Sequence, residues 1–200
     1  MNLLPRLAPL LAAVALSGCS VSSLLGGGSK VPPTLQTLTS EAPDPGNVAR
    51  SAAAGQAVTV LTPLISNELN TVRVPVHLSP TDVQYVTDLQ WVDTPDRLFQ
   101  HLVEETIRRA TDRVVLDPNQ SGLDPGVTLH GELDRFGYDA QTGQVVVAYN
   151  GSLASAGGAE VQTRRFVANA PSDGTAASVG PALNHAANEV AQQIAQWIGG

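Results

Sequence analysis

The sequence predicts a single α+β domain: a mixed or antiparallel sheet that ends in a three-strand C-terminal meander, flanked by two amphipathic helices. Three observations predict it. Residues 71–79, TVRVPVHLS, alternate apolar and polar with period two, which marks a strand with one buried face. Two stretches, one from Leu98 to Ala110 and one from Leu183 to Ile198, place apolar residues at helical spacing. Between them lie three β-prone runs in a row, joined by short turn-forming loops. The order of strands, helix, strand, meander and helix packs two helices on one sheet, and 200 residues suffice for one real core.

The N-terminus reads as an address. Arg6 and the free amine precede a ten-residue apolar run, LAPLLAAVAL, at residues 7–16. A membrane-spanning helix needs about 20 apolar residues, so this run has the dimensions of an export signal. It leads into Leu16-Ser17-Gly18-Cys19, which holds the single cysteine of the chain. That tetrapeptide resembles the bacterial lipobox, whose cysteine thiol receives a diacylglycerol before the peptide is cut ahead of it and the new amine is acylated. The resemblance implies cleavage between Gly18 and Cys19, with diacylglycerol and an N-acyl chain (palmitate among them) on Cys19. Residues 1–18 are then a signal peptide, residues 19–33 a lipidated tether rich in Ser, Gly and Pro, and residues 34–200 the folded domain. Two or three acyl chains together hold a protein on a membrane where one alone does not. Ser20, in place of an aspartate, implies sorting to the outer membrane with the domain facing the periplasm.

The elements follow in order. Residues 34–38 form a short candidate strand, 41–54 a polar loop, and 57–61 a β-like run; 66–70 read as a turn. In the strand 71–79, Pro75 cannot donate to a ladder, so the strand must lie at an edge or carry a bulge. Short β pieces at 83–86 and 89–92 surround Asp88. Asp93 or Thr94 caps a helix with Pro95 in its first turn; its far face carries Glu104–Arg108 and Glu105–Arg109 pairs at the solvent. A strand at 113–116 and a turn-rich loop at 117–126 precede the meander strands 127–138, 144–155 and 160–168. In the first of these Val127, Leu129 and Leu133 share parity and Phe136 and Tyr138 do not, which predicts a bulge near Arg135. Ser178 caps the last helix.

Charge and chemistry narrow the function. The net charge is −7 with one lysine, Lys30, and no basic run, so nucleic-acid binding and a polybasic grip on lipid are excluded. None of His77, His101, His130 and His185 has a second His or a Cys at i,i+3 or i,i+4, so no metal site is expected, and His77 and His101 read as solvent-facing. No cofactor is called for beyond the acyl chains. There is no G-x-S-x-G elbow, and Ser152 lies inside a strand. Asp93 and Asp96 belong to a helix start, and Asp117 and Asp124 to a loop, so no catalytic pair stands out and no enzyme is predicted. Trp91 is open to two readings: a core side chain sealing the helix start, or a contact for lipid or a partner.

With these segments assembled, the chain resembles the ABC-type transport auxiliary lipoprotein family. The resemblance rests on LSGC, on VRVPVHLSPTDVQYV, on LQWVDTPDRLFQHLVEETI, and on LHGELDRFGYD followed by a Val-rich strand and a terminal Ala/Asn-rich helix. Relatives carry an aromatic at the first strand, where this chain has Leu35 and Leu38. The resemblance implies a docking or binding subunit of a mammalian-cell-entry (MCE) type lipid transport system, working with an MCE-domain periplasmic protein, a permease and an ATPase. Phospholipid is its implied cargo, and self-association is left open. It implies no catalytic residues; Cys19 is the one defined functional position. The alternative function class is an envelope-assembly scaffold unrelated to lipid transport.

Overall fold

The computed structural model describes residues 32, 34–124 and 126–199. Its spine is one long strand, β6 (Val127–Asp139). On one side β6 pairs antiparallel with β7 (Gln144–Ala154), which pairs antiparallel with β8 (Val161–Pro171). On the other side three short strands share the edge of β6, each parallel to it. β1 (Val58–Val60) lies against Val127 to Leu129, β2 (Leu64–Ile65) against Glu132 and Leu133, and β3 (Arg73–His77) against Tyr138 and Asp139. β4 (Val83–Gln90) pairs antiparallel with β3, and β5 (Val115–Leu116) pairs parallel with β1. The two helices, α1 (Pro95–Ala110) and α2 (Ala176–Gly199), pack on each other, and α2 lies over β7 and β8. This is the α+β domain with its meander that the periodicities predict.

The expected bulge in β6 falls between Leu133 and Arg135. Leu133 faces Tyr149 and Arg135 faces Ala148, so Asp134 is the extra residue. The slip lets Leu129, Leu133 and Phe136 all reach the helix-covered side, where each is fully buried. Pro75 is resolved the same way. β3 is paired on both sides and is not an edge; its register with β4 slips between Arg73 and Pro75. The slack is taken up in β4, where Asp88 sits at φ 58°. β4 is therefore one strand through Asp88 rather than two pieces. Gly137 is fixed by this arrangement, since a Cβ there would lie 2.6 Å from the Pro75 carbonyl oxygen.

Three expectations are corrected, and one element is new. Residues 34–38 are no strand; they contribute a single parallel bridge, Gln36 to Trp91. The Glu104 carboxylate is not at the solvent but 5% exposed, held by Gln100 Nε2 at 3.1 Å and Arg108 Nη2 at 3.3 Å. Gln100 is itself buried because it also donates to the Val60 carbonyl at 3.0 Å, tying α1 to β1. The Glu105–Arg109 pair is at the surface as expected, at 2.6 Å. The last helix begins at Ala176, ahead of Ser178. Asp173 accepts from the Thr175 N–H at 2.9 Å and so opens the helix earlier, while the Ser178 hydroxyl reaches back to the Asp173 N–H at 3.2 Å. β2 was not expected at all: a two-residue strand carries no periodicity.

Candidate functional site

Gly18 and Cys19 lie outside the described residues. Trp91 is 1% exposed, and its ring centroid is 5.7 Å from that of Phe136. The reading of Trp91 as a lipid or partner contact is corrected: the side chain has no surface to offer. It seals the core where β4 turns into α1.

Residues 36–42 form a strap across α1 and α2. Gln36 donates its N–H to the Gln90 carbonyl at 2.9 Å and accepts from the Val92 N–H at 2.8 Å. Its side-chain amide lies against Gly180, where a Cβ would displace it. Beyond Gln36 no strand is available, and helix side chains serve instead. Asn184 Oδ1 accepts from the Thr39 N–H at 2.8 Å. Asn188, 1% exposed, accepts from the Glu41 N–H at 2.7 Å and donates to the Thr39 carbonyl at 2.8 Å. Arg109 of α1 donates to the Ala42 carbonyl at 3.0 Å, and Ser40 meets Thr106 at 3.1 Å. The chain therefore leaves the residues 19–33 predicted as tether and is locked at once into the helix layer.

Alternation places a second set of groups on the sheet face away from the helices. There β3, β6 and the turn at 66–70 enclose a cleft of about 520 Å³ lined by Glu68, His77, Glu132, Asp134, Arg135 and Asp139, among others. Arg165 of β8 reaches Asp134 at 2.7 Å, and Arg135 lies 3.6 Å from Asp139. His77 Nε2 is 3.7 Å from Glu68 Oε1, beyond hydrogen-bond reach. His77 Nε2 and Arg135 Nε are both buried without a hydrogen-bond partner among the described residues. Burial, and then the Arg135 charge, hold the imidazole below its ordinary pKa, while Glu68 and Asp139 pull it back. His77 is thus neutral near pH 7, in a cleft that offers both signs of charge.

The expectation that His77 faces solvent is corrected, since its side chain is 14% exposed. Its parity was right, but Leu69, fully buried, pulls the turn at 66–70 over that face. A lone leucine in a polar turn was the only trace of this in the sequence. His101, His130 and His185 are exposed. Glu132 also lines a neighbouring hollow of about 540 Å³, whose apolar lip is Leu61 and Leu64. Asp124 accepts from the Gly55 and Ala57 N–H groups at 2.7 and 3.0 Å, a structural stitch that lowers its pKa. Among the described residues no cluster of three or more His, Cys, Asp or Glu is placed to hold a metal ion. No described helix is long and apolar enough to cross a membrane.

The fold is shared with proteins of distant sequence. A Xanthomonas campestris protein of the DUF330 family superposes with a TM-score of 0.67 at 18% identity, covering 83% of this chain and 95% of that one. A second solved structure, of an uncharacterized protein, superposes with a TM-score of 0.60 at 14% identity, covering 75% of this chain and 96% of that one. No curated protein sequence matches the chain. The model of the ABC-type transport auxiliary lipoprotein component family matches residues 37–195, from the strap to one turn short of the end of α2. The chain belongs to the ABC-type transport auxiliary lipoprotein component family.

Proposed function

We propose that this protein is the lipid-anchored auxiliary subunit of an MCE-type ABC lipid transport system, held on the periplasmic face of the outer membrane and docking the conduit there. It acts as a binding subunit and not as an enzyme. One observation carries the reading: the Leu16-Ser17-Gly18-Cys19 lipobox stands directly upstream of a domain of the transport auxiliary lipoprotein family. Ser20 supports outer-membrane sorting. The strap supports an anchoring role, because it joins the tether to the rigid helix layer and gives the domain a defined attachment point. The mixed-charge cleft is open enough to take a polar headgroup or a partner side chain, and it supports binding over chemistry.

The test is affinity purification of the full-length lipoprotein from detergent-solubilised envelopes, with deletion of its gene in parallel. The reading predicts recovery of an MCE-domain protein and increased sensitivity to detergent and bile salts on deletion. Recovery of pilus, secretion or division components instead, with an intact permeability barrier, would place the protein among envelope-assembly scaffolds.

A further inference from the structure

In the cleft beneath the turn at 66–70, the charges at the rim are bonded and the covered ones are not. At the rim Arg165 donates to Asp134 Oδ2 at 2.7 Å and to Asn150 Oδ1 at 2.8 Å. Asp139 accepts from the Gln141 N–H at 3.0 Å and the Thr142 N–H at 3.2 Å, and so is committed to its own turn. Deeper in, Arg135 reaches no acceptor among the described residues. Its Nη2 stands 3.6 Å from Asp139 Oδ2, beyond hydrogen-bond reach, and its Nε is buried without a partner. Glu68 Oε1 and His77 Nε2 are likewise too far apart, at 3.7 Å. Glu132 projects from the same face as Arg135, because the bulge at Asp134 sets the two opposite Asn150 and Ala148, two positions apart on β7. Covered polar groups in folded proteins are almost always hydrogen-bonded. A guanidinium with no acceptor, beside Glu68 and Glu132 with no bonded cation among the described residues, marks a place for a ligand of both charges.

We propose that the cleft binds a phosphoethanolamine headgroup of a phospholipid, with the phosphodiester on Arg135 and the ammonium between Glu68 and Glu132. This rests on the reading of the protein as a lipid-transport subunit and narrows the lipid it takes. The charge pattern selects it. A headgroup that is only anionic would meet Arg135 but also the carboxylates of Glu68, Glu132, Asp134 and Asp139. A lone cation would answer the carboxylates and leave Arg135 without an acceptor. Choline carries the positive charge but no N–H, whereas ethanolamine brings three donors to carboxylates that only accept. A guanidinium in turn takes a phosphate through paired N–H groups. The rest of the lipid has an exit. Glu132 also lines the neighbouring hollow of about 540 Å³. Leu64, its partner across the ladder, is 75% exposed there and with Leu61 offers apolar surface to the glycerol and the first acyl carbons.

Two measurements on the full chain test it. In mild detergent the lipoprotein is titrated with water-soluble glycerophosphoethanolamine, glycerophosphocholine and glycerophosphoglycerol, followed by NMR of the His77 ring. The ethanolamine compound should bind at least tenfold more tightly than the other two. Arg135→Gln should weaken all three alike, and Glu132→Gln should lower the ethanolamine preference at least threefold. Glu132 is exposed, so its variant does not disturb the core, and thermal melts verify both. In intact envelopes, a photocrosslinking p-benzoylphenylalanine in place of Leu64 separates a lipid from a free headgroup compound. It should capture phosphatidylethanolamine above its share of the envelope lipid, and less of it when Glu132→Gln is added. Equal binding of the three compounds overturns the proposal. So does a preference that survives Glu132→Gln, or capture at position 64 of protein or of nothing in place of lipid. Affinity purification of the MCE-domain protein tests the transport reading separately: its recovery alongside any of these results leaves that reading standing and strikes the headgroup alone.

Discussion

Asn188 closes a two-bond ring with the backbone around Glu41: its carboxamide accepts from the Glu41 N–H at 2.7 Å and donates to the Thr39 carbonyl at 2.8 Å. A side-chain amide thus stands in for the missing strand neighbour. It is oriented by a further donation to the Asn184 carbonyl at 2.9 Å, one helical turn earlier. This joint ties the N-terminal strap of the described domain to the helix layer.

Asn188→Ala should cost about 2–3 kcal/mol, because it strands two backbone groups in a partly dry site. For a domain of this size that lowers the unfolding midpoint by roughly 5–10 °C. Asn184→Ala, whose strap contact is exposed, should cost less. Limited proteolysis should cut Asn188→Ala within residues 36–42 before the wild type is cut there. An unchanged melt and an unchanged digest would mean that the strap is held by packing alone.

Gly137→Ala should cost about 2 kcal/mol or more, since the new methyl meets the Pro75 carbonyl and neither strand can retreat from the shared ladder. Gly122→Ala, with open space around it, should stay within about 0.5 kcal/mol of wild type. Urea denaturation of the pair separates a close-packed bulge from a general intolerance of alanine.

His77 predicts a pH dependence with a definite sign. Its folded-state pKa lies below the ordinary 6.5, so the native state favours the neutral ring. Between the two values the unfolded chain binds more protons, and stability rises with pH. The contribution is fully present above about pH 6.5 and is lost as pH falls through that value toward the folded pKa. His77→Gln, which cannot titrate, should flatten the stability curve in that window. An identical slope in wild type and variant would show that the cleft does not hold His77 neutral.

Much of this architecture was legible in the sequence, and the reason is periodicity. The helical spacing of Leu183, Ala187, Val190 and Ile194 put α2 in place, and all four are buried; of Trp197 and Ile198, either of which could continue the stripe, Ile198 is the buried one. The parity break between Leu133 and Phe136 predicted a bulge near Arg135, and the β6 bulge falls between Leu133 and Arg135. What could not be read was set by partners distant in the chain. Residues 34–38 look like a strand but contribute only the Gln36 bridge to Trp91, and the chain just beyond them, at Thr39 and Glu41, finds Asn184 and Asn188, some 145 positions away, in place of a neighbouring strand. Glu104 looks like half of a surface ion pair because its other partner, Gln100, is buried only through its bond to β1. His77 was assigned to the right face, and the turn that covers that face left no pattern. For the site itself, Cys19 was singled out by its order in a short linear signal, whereas the cleft is assembled from β3, β6 and a turn and has no linear signature.

The central claim, that this transport-family domain works from a lipid anchor, is tested most directly at Cys19. Intact-mass and peptide mass spectrometry of the protein purified from membranes should show a chain beginning at Cys19 with diacylglycerol on sulfur and an acyl group on the amine. Cys19→Ala should accumulate as an unacylated precursor that retains residues 1–18. A wild-type protein with a free Cys19 thiol, or a Cys19→Ala protein processed and membrane-bound like wild type, would contradict the account.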